Sequence, residues 1–492
     1  MTARTRCVAI AVTSVACLTS CAELGRVTIV SSSATASASA TTSTSTTVAN
    51  DTVVTTTTSA PNGEFFDEFI LGDVVDLGSP RTPADDDGLV AAAVADISSW
   101  SAEVLASMYD LPQRALDGKI YAGRLERTTA LPGCGSPSTD YSDLVEYVAL
   151  YCPGDEFVVY DDGPDGLLGS LVAEHGGTSI AVVLAHEFGH FIQDRAGILD
   201  LDLPTVTTEQ QADCFAGAWM GRVTSGTSPT LTLGDDGVRT GLIALVQVRD
   251  PAGVDTMSPG GHGTAFDRVG AYQLGFEEGP AACAALIDNP LPLMPNAYLS
   301  YDDYLRGGDA PYDCAGEPNP DCRASWEFLG DDLNEFWTLI LDDTIDLTAL
   351  PVDDLEGACP DFRAVDGPIG RCVNSGLVVF DELEVLDLYS SSGDFTLGYL
   401  LGLAWADAAL ERQGSSSATD RLRADCLVGA WVDDITLGLR RDQRRISTVT
   451  SSPGDPDEAI SMLIRLSDTG DEMLFDRVGA FRTGVLNGRT AC

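Results

Sequence analysis

Hydrophobic and polar positions divide this chain into blocks of different character. Cys7 to Leu18 is a short apolar run behind Arg4 and Arg6, well under the ~20 residues that a bilayer span needs. Residues 22–62 are rich in Ser, Thr and Ala, as in Ser33-Ala34-Thr35-Ala36-Ser37. They lack the large apolar side chains that offset ordering entropy, so a flexible tether is expected there, with a reach of about 35 Å. Folded structure is expected from residue 63 onward. Between Ile180 and Gln193, Ala, Leu and Val run without a proline, which predicts a buried helix. A second helix is expected to carry Glu209 to Asp213, and His262 falls in a glycine-rich loop. No run after the N-terminal one reads as long and apolar enough to cross a membrane.

Ordered blocks recur along the folded part, which predicts two related α+β units, 63–300 and 326–492, joined by a polar loop, 301–325. Phe266-Asp267-Arg268-Val269-Gly270-Ala271 returns as Phe475-Asp476-Arg477-Val478-Gly479-Ala480. Ala212-Asp213-Cys214 returns as Ala424-Asp425-Cys426, and Gly217-Ala218-Trp219 as Gly429-Ala430-Trp431. Trp100 is paired with Trp337 on the same reasoning.

Charge and cysteine content narrow the setting. There are 75 acidic residues against 28 basic ones, a net charge of -47. Such a surface repels nucleic acid and anionic lipid, and both are excluded as partners. Clusters such as Asp85-Asp86-Asp87 read as a solvated face, although they are also groups that attract calcium. Leu18-Thr19-Ser20-Cys21 resembles a bacterial lipobox. That resemblance implies a signal peptide over 1–21, lipidation of Cys21, and export to the outer face of a bacterial membrane. Of the 13 cysteines, removing Cys7 and Cys17 with the signal and Cys21 to the lipid leaves ten. Outside the cell these should form disulfides. If the two units share a fold, Cys134–Cys152 corresponds to Cys359–Cys372, and Cys214–Cys283 to Cys426–Cys492. Cys314–Cys322 is left as a local loop.

The chemistry is concentrated in His186-Glu187-Phe188-Gly189-His190. Histidines four apart on a helix present both rings on one face, the spacing two imidazoles need to grip one tetrahedral zinc ion. Glu187 stands where it could take a proton from a zinc-activated water. Gly189 is costly in a helix interior, so a close approach of another backbone is expected. A third ligand is required. Gln193 and Ala196 stand where a histidine-rich metzincin pattern would need glycine and histidine. Glu209 is the favoured third ligand, with Asp213 one turn later to orient a ligand histidine. Glu174, Asp194, Asp200 and Asp202 compete with it.

The combination resembles the thermolysin-type gluzincins. More closely it resembles the putative neutral zinc metallopeptidase family, through His186 to Gln193, Glu209 to Trp219, and His262-Gly263-Thr264 before Arg268. The resemblance covers most of residues 90–283. It implies a zincin-like α+β domain, one zinc ion, peptide or protein substrates, and His262 as a stabiliser of the oxyanion. In the second unit Trp405, Ala406 and Ala409 take the places of His186, Glu187 and His190. Arg421 replaces Glu209, and Asp471 replaces His262. That unit is thus expected to be a degenerate, non-catalytic repeat. Asp213 keeps a counterpart in Asp425, which points to a structural role as well. Two rival functions are a zinc-binding cell-surface protein without turnover and a cell-wall amide hydrolase. Glu187 argues against the first, since a purely structural zinc site has no use for an adjacent base.

Overall fold

Short strands, two of them wholly buried, and long apolar helices make this a mixed α+β structure. The computed structural model describes residues 74–76, 87–116, 120–124, 131–135, 148–315, 322–416, 420–436, 439–440, 445–446, 449–467 and 473–492. The expected signal peptide with Cys21, the tether, Asp85, Asp86 and Asp471 lie outside the described residues.

The first sheet has the order β1-β2-β4-β3, with β1 Val74–Asp76, β2 Ile120–Gly123, β3 Ala149–Cys152 and β4 Phe157–Asp161. β1, β2 and β4 run parallel, and β3 returns antiparallel to β4 with Cys152 opposite Phe157. All five residues of β4 are buried, as befits a strand covered on both faces. Around this sheet lie α1 (Asp87–Tyr109), α2 (Leu167–His175), α3 (Thr178–Arg195) and α4 (Thr205–Thr224). They are followed by α5 (Asp235–Gln247), α6 (Ala265–Glu278) and α7 (Pro280–Ala285).

By length and composition α1 could cross a membrane, which corrects the expectation that no later segment could. Its apolar character is accounted for by the core, where Ile97, Trp100 and Leu105 are almost wholly buried. Helix α3 is buried nearly all round, the property of a central helix. It crosses α4 at Gly189. A Cβ on Gly189 would lie 2.7 Å from Ala212 Cα, so the expected backbone approach is present. Gly189→Ala should therefore cost about 1–3 kcal/mol, because backbone cannot yield as a flexible side chain does. It should also weaken zinc binding, since α4 carries Glu209. Thermal melting and zinc content check this, and an unchanged melting temperature would refute it.

A second sheet, in the order β5-β8-β7-β6, is built from Thr348–Val352, Phe362–Asp366, Ile369–Cys372 and Leu377–Asp381. β5 and β8 are parallel, and β7 is antiparallel to β8. Helices α8 (Tyr301–Arg306) and α9 (Ser325–Leu341) precede it. Then come α10 (Glu382–Ser392), α11 (Phe395–Arg412), α12 (Arg421–Thr436), α13 (Asp455–Leu466) and α14 (Leu474–Asn487).

Pairs of contacts recur between these halves. Trp219 donates to Asp96 and Trp431 to Asp332, each at 2.9 Å. Those aspartates set Trp100 level with Phe336, not Trp337. Helices α3 and α11 are both 18 residues long. Gly176 and Gly393 precede them with φ 88° and 100°, and Gly197 and Gly414 follow with φ 71° and 82°. Matching these glycines puts Leu403, Ala404 and Asp407 opposite His186, Glu187 and His190. The sequence reading was two residues out because an alanine-rich helix offers no landmark between cysteine blocks.

The disulfides are Cys134–Cys152, Cys214–Cys283, Cys314–Cys322, Cys359–Cys372 and Cys426–Cys492. The described residues all belong to one compact unit. Between the halves, Phe475 stacks on Phe276 with ring centroids 4.3 Å apart, and Gln273 donates to the Phe475 carbonyl at 2.8 Å. The Arg482 guanidinium lies over Phe266 at 4.2 Å. Asp457 of α13 accepts from the Ala265 and Phe266 N–H groups at 2.9 and 2.8 Å. It thereby caps α6, where a carboxylate satisfies orphan donors and meets the positive end of the helix dipole.

Candidate metal centre

The α3–α4 crossing brings three side chains to one point. His186 and His190 project from the same face of α3, with ring centroids 4.8 Å apart. Glu209 faces them from α4. Its Oε2 is 3.1 Å from His186 Nε2, and its Oε1 is 3.3 Å from His190 Nε2. A ligand atom from each of the three lies within 4.8 Å of the others. Of the competing acids, Asp194 is bound by the Tyr151 hydroxyl at 2.8 Å. Glu174, Asp200 and Asp202 are exposed.

Each imidazole is oriented through its other nitrogen. His186 Nδ1 donates to Asp213 Oδ1 at 2.7 Å. His190 Nδ1 donates to Gln193 Oε1 at 2.8 Å, while Gln193 Nε2 donates to the Thr208 carbonyl at 2.6 Å. The second bond fixes which way the Gln193 amide points, and with it the His190 tautomer. The Nε2 atoms of both rings are left facing Glu209, where a metal would take the place of a proton.

Asp213 is held by Arg268 of α6, whose Nε and Nη2 donate to its two oxygens at 2.9 and 2.8 Å. Arg268 Nη1 donates to the Val248 carbonyl at 2.6 Å. Burial opposes the charge on Asp213, but Arg268 and His186 hold its carboxyl below the ordinary value. Sequence reasoning placed Asp213 and noted Arg268, but gave neither Arg268 nor Gln193 a task. The signal was present for Arg268, which recurs as Arg477. Arg477 Nε donates to Asp425 Oδ2 at 2.8 Å, and Asp425 accepts the Tyr399 hydroxyl at 2.6 Å where Asp213 takes a histidine.

His262 lies in the loop before α6. The backbone N–H groups of His262 and Gly263 both donate to Asp250 Oδ2 at 2.8 Å. His262 Nδ1 is 3.4 Å from Asp250 Oδ1 and the ring is about one-third exposed. The loop leans on the start of α4, where Gly260 N–H donates to Thr205 Oγ1 at 3.2 Å. Among the described residues, no contact joins His262 to His186, Glu187, His190 or Glu209. His175 pairs with Glu174 at 3.8 Å, away from this centre.

The donor set suits a metal. Glu209 Oε2 is buried and accepts no well-directed hydrogen bond, although His186 Nε2 is beside it. A divalent cation among two imidazole nitrogens and a carboxylate removes that deficit, and zinc takes this set with a coordination position left open. Residues 133–286 match the family described as “Putative neutral zinc metallopeptidase”. That matched segment contains every residue of the centre. Two relatives match part of the chain. The uncharacterized protein Rv2575 of Mycobacterium tuberculosis is 27% identical over 173 residues, 31% of this chain and 57% of its own length. The uncharacterized protein YpfJ of Escherichia coli is 28% identical over 164 residues, 27% of this chain and 52% of its own. The chain thus spans little more than half the length of these relatives. No solved structure matches it.

Proton linkage gives a test of the centre. Burial opposes a charged His186 ring, but Asp213 and Glu209 outweigh it and push its pKa up to about 10. Burial opposes charge on His190 too, and Glu209 raises it. Burial likewise opposes the Glu209 charge, yet His190 and His186 hold that carboxyl well below its usual range. A raised histidine pKa means that the metal-free site binds protons at pH 7, and ligation must displace them. Zinc binding is expected to release about one proton or more, and to tighten as the pH rises toward about 10. Calorimetry in buffers of different ionisation enthalpy measures this; zero proton release would refute it.

Proposed function

We propose that this chain is an exported, lipid-anchored zinc metallopeptidase that hydrolyses peptide bonds with a zinc-activated water. One observation carries the reading. His186, His190 and Glu209 converge on a single point, with Glu187 beside them on the same helix. When bound there, zinc supplies Lewis-acid activation of water and of the scissile carbonyl. His186 and His190 present their Nε2 atoms, locked in the correct tautomer by Asp213 and Gln193. Glu187 accepts the proton that water loses as its oxygen adds to the carbonyl carbon. It then hands that proton to the amine as the C–N bond breaks. His262, held by Asp250, donates to the oxyanion.

Residues 326–492 are read as a degenerate, non-catalytic copy of the same fold. Support comes from the matching central strands, the recurring tryptophan–aspartate and arginine–aspartate contacts, and the disulfides at corresponding places. Leu403, Ala404 and Asp407 cannot perform the zinc chemistry of their counterparts. Export is supported by the lipobox-like Leu18 to Cys21 and by ten cysteines closed into five disulfides. The test is digestion of a diverse peptide mixture, read by mass spectrometry with Glu187→Gln as the blank. Cuts absent from the blank support the peptidase. Bound zinc with no cuts counts against it.

A further inference from the structure

Away from the histidine centre, four carboxylates meet where the loop after α8 reaches the starts of α11 and α13. Asp309 comes from the loop and Asp394 stands at the N-terminus of α11. Asp455 and Glu458 lie in the first turn of α13. One oxygen each of Asp309, Asp394 and Glu458 lies within 4.8 Å of the other two. Among the described residues no ion pair joins any of the four to a basic side chain.

Backbone donors satisfy part of this cluster. Asp394 Oδ2 accepts from Ala310 N–H at 2.9 Å, Glu458 Oε2 from Phe395 N–H at 2.7 Å, and Asp455 Oδ2 from Ser452 N–H at 2.9 Å. Asp309 Oδ1 receives a longer contact, 3.4 Å, from Asp394 N–H. Asp394 Oδ1 is enclosed and has no partner at all. Burial, then the charge of Asp309, pushes the Asp394 carboxyl up to about 7. Burial and then Asp394 drive Asp455 and Glu458 well above the ordinary range. Such a cluster persists only if protons or a cation offset its charge.

We propose that Asp309, Asp394 and Glu458 hold a hard divalent cation of the calcium type, as a second metal site separate from the histidine centre. The donors are all oxygen, which suits calcium and not zinc. Calcium accepts such a flexible set of carboxylate oxygens, whereas magnesium demands near-ideal octahedral geometry and gives up its waters reluctantly. The unpartnered Asp394 oxygen gains a partner. The ion fastens the loop after α8 to two helix starts. Asp457, which caps α6, lies between Asp455 and Glu458, so the site braces the element that follows the His262 loop.

The test is equilibrium dialysis of the zinc-loaded full chain with radioactive calcium, beside thermal melts. About one calcium per chain is expected to bind at roughly millimolar concentration or below, at least tenfold more tightly than magnesium. The melting temperature should rise with calcium. Asp394→Asn with Glu458→Gln should weaken binding at least tenfold and remove the calcium-dependent rise. Asp309→Asn, a change on a loop, gives the same readout if the double variant does not fold. No calcium bound at millimolar levels overturns the proposal, since protons and helix termini then balance the carboxylates. Binding unaltered by either variant, or equal for magnesium, overturns it as well.

Discussion

Glu187→Gln is expected to lower peptide turnover by about 10²–10⁴-fold while zinc stays bound, the usual contribution of a positioned general base. The substitution keeps size and shape. It replaces a carboxylate by an amide that cannot accept a proton. Glu187 is buried, follows His186 directly on α3, and is not among the groups holding Glu209 or the ring nitrogens. The helix and the ligand set should therefore survive. Because the lost interaction forms in the transition state, kcat should fall and KM change little. Steady-state kinetics with zinc analysis on the same preparation checks both halves of the statement. A variant within about threefold of native turnover would mean that another group is the base. A variant without zinc would mean that Glu187 helps to hold the ion.

Arg268→Ala should be the most damaging change outside the ligand set itself. Arg268 and Asp213 side chains are 4% and 0% exposed, so the removal leaves a buried, unpaired carboxylate. Breaking such a pair costs about 3–5 kcal/mol. Loss of the group that orients a ligand histidine lowers metal affinity by about 10–100-fold. The sign of the pH effect follows from Asp213. A carboxyl held low in the folded state stabilises at neutral pH and loses that contribution as pH falls through its folded value. Without Arg268 that value rises, so the variant should unfold at a higher pH during acidification. Arg477→Ala provides the control. It breaks the equivalent buried pair with Asp425 and should cost similar stability, yet leave zinc affinity unchanged. Equal loss of zinc in both variants would show that the effect is general unfolding.

The legible part of this protein was the part encoded in local spacing. His186, Glu187 and His190 on one helix face follow from helical periodicity, and Glu209 with Asp213 repeats that logic on the next helix. Cysteine pairing followed from the order of the recurring blocks. The contacts that hold the centre in place were not legible, because each joins distant segments. Asp96 serves Trp219, Arg268 serves Asp213, and Asp457 serves the start of α6, none of them at a spacing that marks a pair. Asp250 was missed for the same reason, although it organises the His262 loop. The register between α3 and α11 was misread because its markers are glycines with positive φ, whose conformation a sequence does not display.

Asp457 has a consequence for how this molecule evolves. It lies far beyond residue 286, where the likeness to the family ends, yet two N–H groups just after the His262 loop depend on it. Selection for chemistry in the first half therefore reaches into the second. The later segment supplies none of the three residues of the centre, yet it is tied to the first through Asp457. A gene cut after the matched segment would encode an α6 left with only its Thr264–Asp267 capping box, its first two N–H groups without Asp457, so the two halves are expected to be inherited, duplicated or lost together.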